Sequence, residues 1–121
     1  MAGRIRVLLV DDESIFLHAL RALLEHDPRV VVVGAAQSAP EALELAAEVR
    51  PDVVLVDLTL PGMDGYETTR RLLARSPDLK VIALSGHDEA EAAALEAGAA
   101  GFLYKGGLHE EVADAIVAAA A

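Results

Sequence analysis

Polar side chains stand directly behind four short apolar runs. Asp11 and Asp12 follow Ile5–Val10, Asp57 follows Val53–Val56, Ser85 follows Leu79–Leu84, and Lys105 follows Gly101–Tyr104. Three carboxylates gathered at ~5 Å in an effective dielectric of ~20 repel by roughly 3 kcal/mol per pair. They persist together only beside positive charge. Oxygen donors without His or Cys select a hard divalent ion, Mg²⁺ first, with Mn²⁺ or Ca²⁺ as substitutes. Lys105 supplies a second cation on a long stem. A hydroxyl (Ser85), an ammonium and a divalent ion around one Asp make a cradle for the equatorial oxygens of a phosphoryl group. An Asp carboxylate can itself be the nucleophile and become an aspartyl phosphate. Gly86 leaves room for an incoming donor.

The apolar runs that must position these groups are Ile5–Val10, Val30–Ala35, Val53–Val56, Leu79–Leu84 and Gly101–Tyr104. They are nearly continuous and mostly rich in β-branched residues, as strands buried on both faces of a parallel sheet are. Between them apolar residues recur three and four apart: Phe16, Leu20, Leu23 and Leu24 in one stripe, Leu108, Val112, Ile116 and Ala119 in another. Ser38 with Glu41, and Asp64 with Glu67, have the spacing of helix N-caps. Pro28, Pro51, Pro77 and Gly98 follow helical segments as breakers. Five βα units joined by right-handed crossovers predict a three-layer α/β domain. Such sheets bind ligands at the carboxyl ends of their strands, where the strand order reverses. That edge is where Asp11, Asp12, Asp57, Ser85 and Lys105 fall.

Composition narrows the alternatives. The chain has 121 residues, and its 20 Asp+Glu against 10 Lys+Arg give a net charge of −10. Phosphate backbones and anionic lipid repel such a surface, so neither direct nucleic-acid binding nor membrane binding is expected. There is no Cys, which removes disulfides, Fe–S clusters and thiolate zinc sites. His18, His26, His87 and His109 are too scattered for a metal site and are expected at the surface. No apolar run approaches the ~20 residues of a membrane helix. The short run before Asp11 does not make a signal peptide. A cytoplasmic location is expected.

The sequence resembles a receiver domain of the two-component response-regulator family. The resemblance is carried by V-D-D at Val10–Asp12, V-D-L-T-L-P-G-M-D-G at Val56–Gly65, A-L-S-G at Ala83–Gly86 and G-F-L-Y-K at Gly101–Lys105. It covers the whole chain, 1–121, as one receiver domain. It implies a flavodoxin-like (βα)5 sandwich, a doubly wound parallel sheet in the order 2-1-3-4-5. It also implies that Asp57 accepts a phosphoryl group from a sensor histidine kinase. Asp12 would ligate Mg²⁺ directly, Asp11 mostly through water, Asp57 by its carboxylate and Thr59 through its backbone carbonyl. Ser85 would swing inward, and Phe102, three residues before Lys105, would follow as the switch aromatic. Their movement would remodel the surface of the fourth helix, fifth strand and fifth helix. Thr59 and His87 occupy positions that tune phosphoryl lifetime in the family. Ile15, Phe16 and Ala19 lie where the family docks its kinase. The tone is nearest to NarL/LuxR-type regulators, in which a DNA-binding output domain follows; that domain is absent from this chain, and the end at Ala121 suits excision from a longer protein. Many receivers carry Pro after the lysine; Gly106 and Gly107 stand here, which implies a more flexible loop.

Plainer readings exist for single features. Asp11–Asp12 could form a solvated turn, and Ser85 could cap the fourth helix, although Asp88 is better placed to do so. The acids from Asp88 to Glu96 read as a solvated helix face. Glu89, Glu91, Glu96, Glu110, Glu111 and Asp114 lie on the last two helices with no Lys or Arg among them, so two copies would repel there and a monomer or weak dimer is expected. A haloacid-dehalogenase-type phosphatase needs a second Asp two residues after the nucleophile, where Thr59 stands. A receiver-like module that works without phosphorylation would be expected to have lost Asp12, Asp57 or Lys105, and all three are present. A flavodoxin-like electron carrier lacks here the hydroxyl-rich first loop and the aromatic residues to sandwich a flavin.

Overall fold

The computed structural model describes residues 3–107 and 111–121. Strands β1 (Ile5–Val10), β2 (Val30–Ala36), β3 (Val53–Asp57), β4 (Lys80–Ser85) and β5 (Gly101–Tyr104) alternate with helices α1 (Ser14–Glu25), α2 (Ala39–Val49), α3 (Gly65–Arg75), α4 (Glu91–Glu96) and α5 (Glu111–Ala120). All neighbouring strands pair in parallel, in the order β2-β1-β3-β4-β5. The order reverses at β1, whose neighbours are β2 and β3.

The apolar runs are strands because both faces of the central sheet are covered. Val7–Val10, all of β3 and Val81–Ser85 are buried. Val7, Leu9, Leu55, Ile82 and Leu84 face α1 and α5. Leu8, Val10, Val54, Val56 and Val81 face α2 and α3. This alternation is the period-2 pleat of a doubly covered sheet. The outer strands β2 and β5 are only partly buried along most of their length.

Several local expectations shift. Asp57 and Ser85 are the last residues of β3 and β4, and β4 starts at Lys80, not Leu79. The ladder continues because Asp57 pairs with Leu84 and Ser85 with Tyr104. In α1 the residue buried with Leu20 and Leu24 is Leu17; Phe16 is half-buried beside them. Val112 and Ile116 of the second stripe are buried, whereas Leu108, His109 and Glu110 lie outside the described residues. Ser38 Oγ accepts from the Glu41 N–H at 3.3 Å, but Glu41 returns its carboxylate to the Gln37 N–H at 2.7 Å. Asp64 caps α3, accepting from the Glu67 N–H at 2.9 Å. Asp88 does not stand at the cap of α4: it lies inside a turn of 3-10 helix (Asp88–Ala90), and the residues at the caps, His87 for the turn and Ala90 for α4, make no side-chain cap bond.

Candidate functional site

The carboxylates meet at the carboxyl edge, on either side of the point where the strand order reverses. Asp11 follows β1 and is fully buried, its N–H bonded to the Ala36 carbonyl at 3.0 Å. Asp57 ends β3 and is 3% exposed. Asp12 is exposed. One oxygen from each of the three lies within 4.8 Å of the others. Backbone N–H groups aim them: Glu13 donates to Asp11 Oδ1 at 2.9 Å, and Thr59 to Asp57 Oδ1 at 3.0 Å. The carboxylates therefore point as their own chain turns dictate, before any ligand arrives.

Lys105 crosses to them from the end of β5. Its Nζ lies 2.8 Å from Asp11 Oδ2, 3.0 Å from Glu13 Oε1 and 3.5 Å from Asp57 Oδ2. Burial alone would lower the pKa of this ammonium, but its bonds to Asp11 and Glu13 outweigh burial and raise it. The Asp57 carboxyl is raised, by burial first and then by the Asp11 charge, against the pull of the Thr59 N–H and Lys105. One ammonium among so many acids leaves the cluster short of positive charge. The donor set, all oxygen and closely spaced, fits a hard divalent cation.

Ser85 is buried, and its Oγ accepts from the His87 N–H at 3.0 Å. It stands at the same edge with its hydroxyl turned to its own loop. Thr59 and His87 are exposed at the mouth, where Gly86 also lines a cleft of about 680 Å³ over Asp12, Asp57 and Lys105. Phe102 pairs with Ala83 across β4 and β5 and packs against Leu58, Ala94 and Ala99 beneath α4. Ile15, 85% exposed, and Ala19 lie on the open side of α1; Phe16 turns inward under Lys105. His18, His26 and His87 are at the surface, and His109 is outside the described residues. A cleft of about 720 Å³ at the amino-terminal edge, between Arg4, Arg50, Arg75 and Lys80, contains none of these groups.

Glu13 lies outside the motifs, and Gly65, which closes the motif Val56–Gly65, has a role that the motif does not state. Glu13 joins the lysine, and its only sequence signal is its place after Asp11–Asp12. Gly65 lets α3 begin against the end of β3. A Cβ there would lie 2.4 Å from the Asp57 carbonyl oxygen and 2.5 Å from the Leu58 Cα. Its N–H meets the Leu58 carbonyl at 3.1 Å. Only glycine permits that approach, and the approach braces the strand end that bears Asp57.

The family model for the response regulator receiver domain matches residues 7–117. The chain belongs to this family. The receiver is 42% identical over 117 residues to the transcriptional regulatory protein LiaR of Bacillus subtilis, covering 95% of this chain and 56% of that one. It is 42% identical over 114 residues to the response regulator GacA of Pseudomonas viridiflava, covering 93% and 53%. The receiver thus spans about half the length of these relatives. Among solved structures it superposes on the signal receiver domain of the putative response regulator NarL from Mycobacterium tuberculosis with a TM-score of 0.91, at 34% identity and 98% coverage of both chains. The flavodoxin-like order 2-1-3-4-5 expected from the resemblance is the order observed. The family is one of phosphoacceptor switches and not of turnover enzymes.

Proposed function

We propose that this receiver accepts a phosphoryl group on Asp57 from a sensor histidine kinase, in a Mg²⁺-dependent reaction. The observation that carries this reading is the convergence of buried Asp57 with Asp11, Asp12 and Lys105 at one sheet edge. A carboxylate oxygen of Asp57 attacks phosphorus. An O–P bond forms, the N–P bond of a phosphohistidine breaks, and its electron pair stays on the imidazole. Bound Mg²⁺ supplies charge neutralisation for the three equatorial oxygens. Asp11, Asp12, the Asp57 carboxylate and the Thr59 backbone carbonyl would hold it. Lys105 stabilises the arriving charge. Ser85 gives up its bond to the His87 N–H and turns to the phosphoryl group. Phe102 then moves under α4, and the α4–β5–α5 surface changes. Thr59 and His87, at the mouth, set how readily water reaches the acyl phosphate.

The kinase docks over Ile15, Phe16 and Ala19 beside the cleft. The output is control of transcription through a DNA-binding domain beyond this chain, as the length and names of the relatives support. The working location is the cytoplasm. The only phosphoryl chemistry is self-directed, addition to Asp57 and its later hydrolysis, since Thr59 offers no general acid to a phosphatase cycle. Intact mass after incubation with acetyl phosphate tests the reading. A gain of one phosphoryl group that needs Mg²⁺ and is absent in Asp57→Asn is expected. No gain, together with no Mg²⁺ binding, would favour a module that works without phosphorylation.

A further inference from the structure

Gly106 and Gly107, which follow Lys105 in a turn of 3-10 helix (Lys105–Gly107), bring no side chain to buttress it. Its Nζ is nevertheless held at one place. Asp11 and Asp57 contribute to that, but they are also the groups a divalent cation would neutralise, and once neutralised they attract the ammonium less. Glu13 is mostly solvent-exposed, so its pull is screened. One contact remains that does not depend on carboxylate charge. Nζ lies over the ring of Phe16, 4.1 Å from its centroid. That ring is fixed, since Phe16 is packed against the core cluster that anchors α1 through Leu17, Leu20 and Leu24. A cation over a partly desolvated aromatic face is attracted by the ring quadrupole.

We infer that Phe16 is a positioning residue for Lys105, a platform that keeps the ammonium at the phosphoacceptor when a divalent ion competes for the carboxylates. The inference rests on the phosphoacceptor reading for its purpose and on the ring contact for its geometry. Protons above an aromatic face resonate upfield. The Lys105 ε-methylene protons of the 121-residue protein, observed by NMR with and without Mg²⁺, are expected upfield in the wild type and in Phe16→Trp, and at ordinary positions in Phe16→Leu. With acetyl phosphate and saturating Mg²⁺, Phe16→Leu should slow phosphorylation of Asp57 by about 5- to 30-fold, and Phe16→Trp should restore the rate. Mg²⁺ affinity should be the same in all three. Lys105 protons at ordinary positions in the wild type, or equal slowing in Phe16→Leu and Phe16→Trp, would overturn the inference. Should Phe16→Leu fail to fold, the shifts in wild type and Phe16→Trp decide. A wild type that takes no phosphoryl group would refute the phosphoacceptor reading alone, and the NMR shift would still decide the contact.

Discussion

Gly65→Ala is the substitution in which stability and chemistry should fail together. The new methyl would sit 2.4 Å from the Asp57 carbonyl oxygen, 2.5 Å from the Leu58 Cα and 3.0 Å from the Asp57 carbonyl carbon. All three are backbone atoms, so no side chain can rotate away. The strand end is also pinned, by the Leu58 N–H on the Leu84 carbonyl at 2.9 Å and the Gly65 N–H on the Leu58 carbonyl at 3.1 Å. Reaching ordinary contact requires a shift of about 1 Å between α3 and β3. Overpacking of this kind costs about 1–3 kcal/mol, and a lost buried hydrogen bond adds about 1 kcal/mol. Reduced freedom of the unfolded chain returns roughly 0.5 kcal/mol. The net loss should be about 1.5–3.5 kcal/mol, or a Tm lowered by roughly 6–14 °C. Moving the Asp57 carboxylate by the same distance should slow phosphorylation by acetyl phosphate about 100-fold. Two glycines serve as controls. Gly62 has φ +79° in open space, so Gly62→Ala should lose only about 1 kcal/mol. Gly86 has open space and an ordinary φ, so Gly86→Ala should stay within about 0.5 kcal/mol. Urea unfolding without Mg²⁺ gives the stabilities and intact mass gives the rates. If Gly65→Ala proves no less stable than Gly62→Ala, and as fast as wild type, the close approach does not brace the site.

Mg²⁺ at about 100 times its Kd should stabilise the wild type by about 2.7 kcal/mol in thermal or urea unfolding, and Asp12→Asn should lose most of that gain. Asp57→Asn should be at least as stable as wild type without metal, because it removes a charge disfavoured by burial and by Asp11, and less stable than wild type with Mg²⁺. Side-chain bonds from Arg29 hold the Asp27 carboxyl at about 2 in the folded chain, against 3.8 ordinarily. A depressed folded pKa means the pair's contribution is present above pH ~4 and disappears as pH falls towards ~2. Carboxyl NMR should show that low midpoint, and Arg29→Ala should return it towards the ordinary value. Sedimentation at rising concentration should show a monomer or a weak dimer. A tight dimer at low salt that weakens as salt is added would contradict repulsion between the acidic α4 and α5 faces. That repulsion is softened in part, since Asp114 is paired with Arg29 at 2.9 Å.

The strands and the pocket were legible because buried parallel strands leave unbroken apolar runs, and the chemistry stands at their ends. The misplaced features depend on neighbours. In the sequence Asp57 and Ser85 stand just after their strands because polar side chains close an apolar run, yet their backbones still pair with Leu84 and Tyr104. Leu17 replaced Phe16 in the core because the direction in which α1 leaves β1 sets which face is inward, and no periodicity contains that angle. Asp88 lost its capping role when the chain entered α4 through a turn of 3-10 helix.

By itself, the sequence determined residue type and chain order: five βα units, acids at the ends of two apolar runs, a hydroxyl at the end of a third and a lysine at the end of a fourth. Distances across strands belong to the tertiary structure alone. Lys105 reaches Asp11 over 94 positions of chain, and Glu13 and Phe16 join it only because the packing of α1 turns them to that edge. Gly65 gains its role from two backbones that touch in the fold. Local pattern encodes which elements form. Which side chains converge depends on the angles at which those elements pack, and these are fixed only when every apolar face is buried at once.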